Sequence, residues 1–77
     1  MAMDAKILSV LKKIRPEIET FHSSENFILE GLLDSFDMVL LVAELDKNFN
    51  ISIDGEEVTL ENFMNLSSIS SLITKHL

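Results

Sequence analysis

Hydrophobic residues recur along the first part of the chain at the spacing of an α-helix, about 3.6 residues per turn. They form one apolar face opposite Lys6, Ser9 and Lys13, which predicts an amphipathic helix. Pro16 cannot donate a helical hydrogen bond and disfavours helical geometry at the residue before it, so we place helix I at about residues 4 to 15. The apolar face comprises Met3, Ile7, Val10, Leu11, Ile14 and Ile18.

The clearest helical pattern runs from Asp34 to Phe49 and predicts helix II. Asp34 is a suitable N-cap, and Asp37 adds a carboxylate in the first turn, where the helix dipole favours negative charge. Both sides of this helix are rather apolar, and a 77-residue chain can hardly bury both. We therefore expect a partly exposed apolar patch, unless the preceding loop covers it. The core stripe is Met38, Leu41, Val42, Leu45 and Phe49, and the outer stripe is Phe36, Leu40, Ala43 and Lys47.

Two connections flank helix II. Residues 16–33 form a long one, whose apolar residues indicate a loop packed over the bundle with room for a short helical turn. Residues 50–58 alternate like a strand, but no other segment offers a strand to pair with, so we expect an ordered loop.

The last part of the chain predicts two more helices. Thr59 would cap a short helix III over residues 60–64, and Ser67 or Ser68 would cap helix IV. The predicted fold is an all-α four-helix bundle with three longer helices, one short helix and a long loop between helices I and II. The broad apolar face of helix IV comprises Leu66, Ile69, Leu72, Ile73 and Leu77.

Composition limits the classes of function. The 77 residues suffice for a single domain, residues 1–77, and the absence of Cys leaves stability to the apolar core. The net charge of −7 argues against nucleic-acid or membrane binding, and it either favours a basic partner surface or serves solubility. The N-terminus does not resemble a signal peptide and no apolar run is long enough to span a bilayer, so we expect a cytoplasmic protein. We also expect it to be a monomer.

A serine follows the acidic cap of helix II. Taken alone, the dipeptide Asp34-Ser35 predicts only a cap. The surrounding pattern adds to this. It comprises Gly31-Leu32-Leu33-Asp34-Ser35, then Val39, Leu41, Val42, Leu45 and Phe49, and later Ile51-Ser52-Ile53, Glu61-Asn62-Phe63 and Ser67-Ser68-Ile69. With these residues the chain resembles, over nearly its whole length, the acyl carrier protein family and its peptidyl and D-alanyl relatives, the stand-alone D-alanyl type in particular.

The resemblance implies a phosphodiester between Ser35 and 4′-phosphopantetheine. It also implies, as partners, a phosphopantetheinyl transferase, an adenylating ligase or acyltransferase, and downstream biosynthetic enzymes. The chemistry is compatible, because a helix start stabilises an attached anion. The chain has no thiol of its own for thioester formation, so the prosthetic group would supply one. The chain would then be a carrier with no catalytic residues.

The outer stripe departs from the family pattern. Generic fatty-acid carriers tend to have acidic residues where this chain has Leu40 and Lys47, and Phe36 replaces the usual Leu or Met beside the serine. These differences favour an aminoacyl or unusual acyl cargo over bulk fatty acid. We expect partner contacts at Asp34, Phe36, Asp37, Val39, Leu40, Ala43, Glu44 and Lys47.

The competing hypothesis is a non-enzymatic helical adaptor or calcium-binding module without a prosthetic group. Residues 46–57 place oxygen-bearing side chains as an EF-hand calcium loop does, but Ile51 stands where the sharp turn needs Gly. His22 and His76 are far apart in the sequence, and the chain has no Cys. We therefore interpret both histidines as surface residues and expect no metal site.

Overall fold

The computed structural model describes residues 2–77, which form three α-helices and one short 3-10 turn, with no strand in this range. The helices are α1 (Ala2–Ile14), α2 (Ser35–Phe49) and α3 (Leu66–His76), and the 3-10 turn is Gly55–Glu57. α1 packs against both α2 and α3. The predicted all-α class is confirmed, and helices I and II lie within two residues of their predicted bounds.

The core combines the helical stripes with side chains from the long loop. Phe21, Phe27 and Leu33 of the loop are buried, and the rings of Phe21 and Phe27 meet edge to face with centroids 5.2 Å apart. The predicted packing of this loop over the bundle is therefore confirmed. The helices contribute Ile7, Val10 and Leu11 from α1, Met38, Leu41 and Leu45 from α2, and Ile69, Leu72 and Ile73 from α3.

The chain enters α2 through a tight turn. Gly31 has a φ of +77°, which L-residues rarely adopt, and its N–H donates to the carbonyl of Ile28 at 3.1 Å. Leu33 is buried two residues later and anchors the chain to the core. This anchor fixes where the next residue, Asp34, can begin the helix.

The predicted helix III is replaced by a single turn, and the short helical element lies earlier, at Gly55–Glu57. Within residues 60–64, the N–H of Phe63 donates to the Thr59 carbonyl at 3.2 Å, and Thr59 Oγ1 accepts from the N–H of Asn62 at 3.2 Å. Thr59 therefore does cap the turn. Just after the turn, the carbonyl of Met64 accepts from the N–H of Phe27 and so ties this segment to the long loop.

The start of α3 also differs from the prediction. Asn65, not Ser67 or Ser68, is the N-cap, and its Oδ1 accepts from the N–H of Ser68 at 2.9 Å. Leu77 lies beyond the end of the helix with 73% of its surface exposed, so it is not part of the predicted apolar face. The ordered loop predicted over residues 50–58 is confirmed: the N–H of Ile53 donates to Asp46 Oδ1 at 3.0 Å.

Candidate functional site

The first turn of α2 is held by a reciprocal capping box. Asp34 has an extended backbone, and its Oδ1 accepts from the N–H of Asp37 at 2.9 Å. Asp37 Oδ2 in turn accepts from the N–H of Asp34 at 3.1 Å. The predicted cap and first-turn carboxylate are both confirmed, and Ser35 is exposed as the first residue of the helix.

Arg15 brings a positive charge to this helix start. Its Nε and Nη2 lie 3.0 Å and 2.9 Å from Asp37 Oδ2, and Nη2 lies 4.0 Å from Asp34 Oδ2. Its Nη1 binds Glu17 at 3.1 Å. The hydrogen bond from Arg15 is the main reason why the pKa of Asp37 lies below its usual value, although burial acts in the opposite direction.

This ion pair was not foreseen from the sequence. Arg15 and Asp37 are 22 positions apart, with Arg15 just after the end of α1 and Asp37 within α2, so no local periodicity connects them. The acidic residue in the first turn of helix II was a visible signal, but it could not identify its partner.

The buried position of Asp37 corrects one expectation. The side chain was predicted to contact partner proteins, yet only 6% of the residue is exposed and its carboxylate is bound to Arg15 and to the Asp34 amide. Asp37 thus supports the helix start from beneath the surface. Asp34 remains exposed beside Ser35.

The outer stripe of α2 forms an exposed apolar patch. Phe36, Val39 and Leu40 expose 69%, 64% and 40% of their surfaces, and Ala43 and Lys47 on the same side are exposed as well. The loop over residues 16–33 does not cover the patch, which confirms the predicted exposure. An unpartnered apolar surface of this kind typically marks an interaction site.

Glu44 is half-buried at the edge of this side of α2. Its Oε1 accepts from Lys13 Nζ at 3.1 Å, and this contact is the main reason why the pKa of Glu44 is lowered. The carboxylate is thus already paired with α1, which reduces the charge that it can offer to a partner.

The two histidines and the calcium-like segment have ordinary structural surroundings. His22 is exposed, and His76 Nε2 lies 2.8 Å from Glu57 Oε1. Residues 46–49 of the calcium-like segment lie within α2 instead of in a loop. Over residues 2–77, no group of three or more acidic, His or Cys side chains is placed to hold a metal ion. In the same range, no helix is both long and apolar enough to span a membrane.

The helix start is suited to an attached anion. The N–H groups of Ser35 and Phe36 have no preceding helical carbonyl to bind, so they stay directed out of the helix beside the Ser35 hydroxyl. An exposed serine at this point can take a phosphodiester without displacing core residues. A helical bundle with such a serine and an adjacent apolar surface has the features of a carrier domain for a prosthetic group.

Comparison with known families agrees with this class. The family model described as the phosphopantetheine attachment site matches residues 5–74, and the chain belongs to that family. The predicted relationship and the predicted cofactor are confirmed, since family members carry covalently attached 4′-phosphopantetheine. Such carrier domains interact with phosphopantetheinyl transferases and biosynthetic enzymes. No curated protein and no solved structure matches the chain.

Proposed function

We propose that residues 1–77 form a single carrier domain with 4′-phosphopantetheine on Ser35. The observation that carries the proposal is the exposed position of Ser35 at the first residue of α2, next to amides that can stabilise an anion. The prosthetic group supplies the thiol on which a thioester can form, and the chain itself has no Cys.

Modification is a phosphoryl-group transfer from coenzyme A. The Oγ atom of Ser35 attacks the phosphorus that bears the pantetheine, and the Oγ–P bond forms as the bridging P–O bond of the pyrophosphate breaks. Adenosine 3′,5′-bisphosphate leaves, and the hydroxyl proton passes to a base of the transferase. The capping box contributes by holding the serine at a fixed point of the helix start.

The partners are proposed to dock on the apolar patch of α2. Phe36, Val39 and Leu40 would supply the buried contacts, with exposed Ala43 and Lys47 beside them. Asp34 would provide an acidic contact next to Ser35, and Glu44 a weaker one because it is paired with Lys13. The partners would be a transferase, an adenylating ligase or acyltransferase, and the enzymes that consume the thioester.

The cargo is proposed to be an aminoacyl or unusual acyl group carried between separate enzymes by a monomeric protein in the cytoplasm. Leu40 and Lys47 support this choice because they make the exposed side of α2 less acidic than that of generic fatty-acid carriers. Offering the modified protein to a set of amino-acid-activating and fatty-acyl ligases tests it. Loading by the fatty-acyl ligases alone would contradict the aminoacyl preference.

Intact mass measurement tests the attachment site. After incubation with coenzyme A and a broad-specificity phosphopantetheinyl transferase, the wild-type protein should gain one phosphopantetheinyl group. Ser35→Ala should gain none. Ser67→Ala is the matched control, because Ser67 is also an exposed serine in the first turn of a helix but is not the proposed attachment site, so this variant should gain the group normally. Modification of Ser35→Ala, or no gain in the wild type, would refute the proposal.

A further inference from the structure

We infer that Arg15 is a positioning residue for the modification of Ser35, because it holds the first turn of α2 in the conformation that the transferase must engage. The inference rests on the proposed function, in which Ser35 is the attachment site. Arg15 is not placed in contact with coenzyme A or the reacting oxygen. It acts through the two carboxylates of the capping box, Asp34 and Asp37.

The guanidinium group of Arg15 holds one oxygen of Asp37 with two nitrogens. Two of its nitrogens, Nε and Nη2, converge on Asp37 Oδ2, and the same oxygen accepts the N–H of Asp34. Asp37 therefore cannot rotate away without breaking its contacts to Arg15 and to the Asp34 amide at once. A planar fork of donors restrains a carboxylate more strongly than a single ammonium can.

The backbone of Arg15 is itself anchored on both sides. Its N–H donates to the carbonyl of Leu11 at 2.9 Å, and its own carbonyl accepts from the N–H of Ile18 at 3.2 Å. The backbone is thus tied to the last turn of α1 on one side and to the chain after Pro16 on the other. Arg15 consequently fixes the start of α2 relative to α1, and not merely relative to its neighbours in sequence.

Arg15 is the positive charge within a group of carboxylates at the start of α2. Three carboxylates surround Arg15, from Glu17, Asp34 and Asp37, and two of them flank Ser35 in the sequence. A phosphodiester on Ser35 adds another negative charge to this cluster. Arg15 is held beside Asp34 and Asp37 by ion pairs. Its positive charge therefore offsets the repulsion between these carboxylates and the phosphodiester.

Lys13 provides a matched control. It lies two residues earlier on α1 and makes an ion pair with Glu44 of α2 at 3.1 Å, further along that helix from Ser35. Lys13→Gln and Arg15→Gln each remove one positive charge. Lys13→Gln removes one ion pair to α2, whereas Arg15→Gln removes the pairs to Asp34 and Asp37 at the start of α2 together with the pair to Glu17. Only the second substitution touches the capping box.

The experiment measures the rate of phosphopantetheine transfer to wild type, Arg15→Gln, Arg15→Lys and Lys13→Gln at a temperature where all are folded. We expect Arg15→Gln to lower kcat/KM by about tenfold, mainly through kcat, because the serine is no longer held in place. Arg15→Lys should fall in between, at about threefold, because it keeps the charge but loses the fork. Lys13→Gln should stay near wild type.

Amide hydrogen exchange on the unmodified proteins gives a readout that does not depend on the transferase. Arg15→Gln should speed exchange at the amides of Asp34 and Asp37, while the amide of Ser68, which is capped by Asn65, should be unchanged. Faster exchange at all three sites would mean general destabilisation and would overturn the positioning role.

The kinetic outcomes separate this inference from the proposed function. If wild type is not modified at all, the proposed function fails, and local loss of protection in Arg15→Gln would still show that Arg15 holds the helix start. If wild type is modified and Arg15→Gln matches it, or Lys13→Gln is slowed equally, the positioning role is refuted. If Arg15→Gln does not fold, a wild-type rate in Arg15→Lys refutes the role of the fork and a reduced rate supports it.

Discussion

The starts of α2 and α3 are built differently, although both bring serine into the first turn. At α2 the cap is a charged capping box whose second carboxylate is buried and bound to Arg15, just after the end of α1. At α3 the cap is the neutral Asn65, whose Oδ1 accepts the N–H of Ser68 and whose side-chain amide donates to the Glu25 carbonyl at 3.1 Å. Both starts offer the positive end of a helix dipole. Only the start of α2 combines it with an ion network.

The surfaces that follow the two helix starts differ as well. α2 continues into the apolar patch, whereas the exposed residues of α3 are polar, as at Ser67, Ser71 and Thr74. A helix dipole by itself therefore does not distinguish a site of attachment. What distinguishes α2 is that an exposed serine, a cap bound to Arg15 and an exposed apolar patch lie within its first two turns.

The largest expected effect separates the two faces of α2. Leu41→Ala removes a fully buried side chain and should lower the free energy of unfolding by about 2–5 kcal/mol. Leu40→Ala, one position earlier on the exposed side, should cost less than about 1 kcal/mol because much of that side chain already meets water. Denaturant titration measures both. Equal losses would show that the outer stripe is part of the core.

The second-largest loss of stability is expected when the caps of α2 and α3 are removed. Asp37→Ala should cost about 1–3 kcal/mol, because it leaves Arg15 and the amide of Asp34 without their acceptor. Asn65→Ala should cost about 1 kcal/mol, which is typical of losing one cap. Thermal or denaturant unfolding measures both losses of unfolding free energy. A larger loss for Asn65→Ala than for Asp37→Ala would contradict the proposed difference between the two helix starts.

A smaller effect is expected from pH. The pKa of Asp37 is lowered in the folded protein, mainly by its hydrogen bond from Arg15, so the unfolded chain takes up the proton first as the pH falls. This contribution to stability is complete above the unfolded pKa of Asp, about 3.9, and is lost as the pH falls through the lower folded value.

The start of α2 should therefore loosen in acid before the start of α3, whose cap is uncharged. Denaturant unfolding at a series of acidic pH values measures the dependence, and Asp37→Asn should flatten it. A wild-type slope that persists in Asp37→Asn would assign the effect to other carboxylates.

The smallest effect on stability is expected on the patch, where the functional effect should be large. Leu40→Glu should leave helical circular dichroism and the free energy of unfolding nearly unchanged, to about 0.5 kcal/mol, while it weakens loading by the partner ligase. Ser71→Glu places the same charge on the exposed side of α3 and should leave loading intact. Unfolding of Leu40→Glu, or an equal loss of loading in Ser71→Glu, would contradict docking on α2.

Much of the fold could be predicted because short-range rules determine it. The periodic apolar stripes located α1 and α2, Pro16 marked the end of the first helix, and Asp34 marked the start of the second. The failures fall where longer-range contacts compete with local preferences. Residues 60–64 form only a turn, with the Met64 carbonyl bound to the long loop, and Asn65 caps α3 two positions before Ser67.

The sequence by itself determined that a helix begins at Ser35, that both sides of this helix are apolar, and that the chain has no Cys to supply a thiol. These are properties of neighbouring residues and of composition, which hold before any packing is known. Only the tertiary structure decided which apolar side is buried, that Asp37 is held beneath the surface, and that Arg15 binds it. The reason is that an ion pair between positions 22 apart depends on how two helices pack, whereas a cap depends on the next three residues.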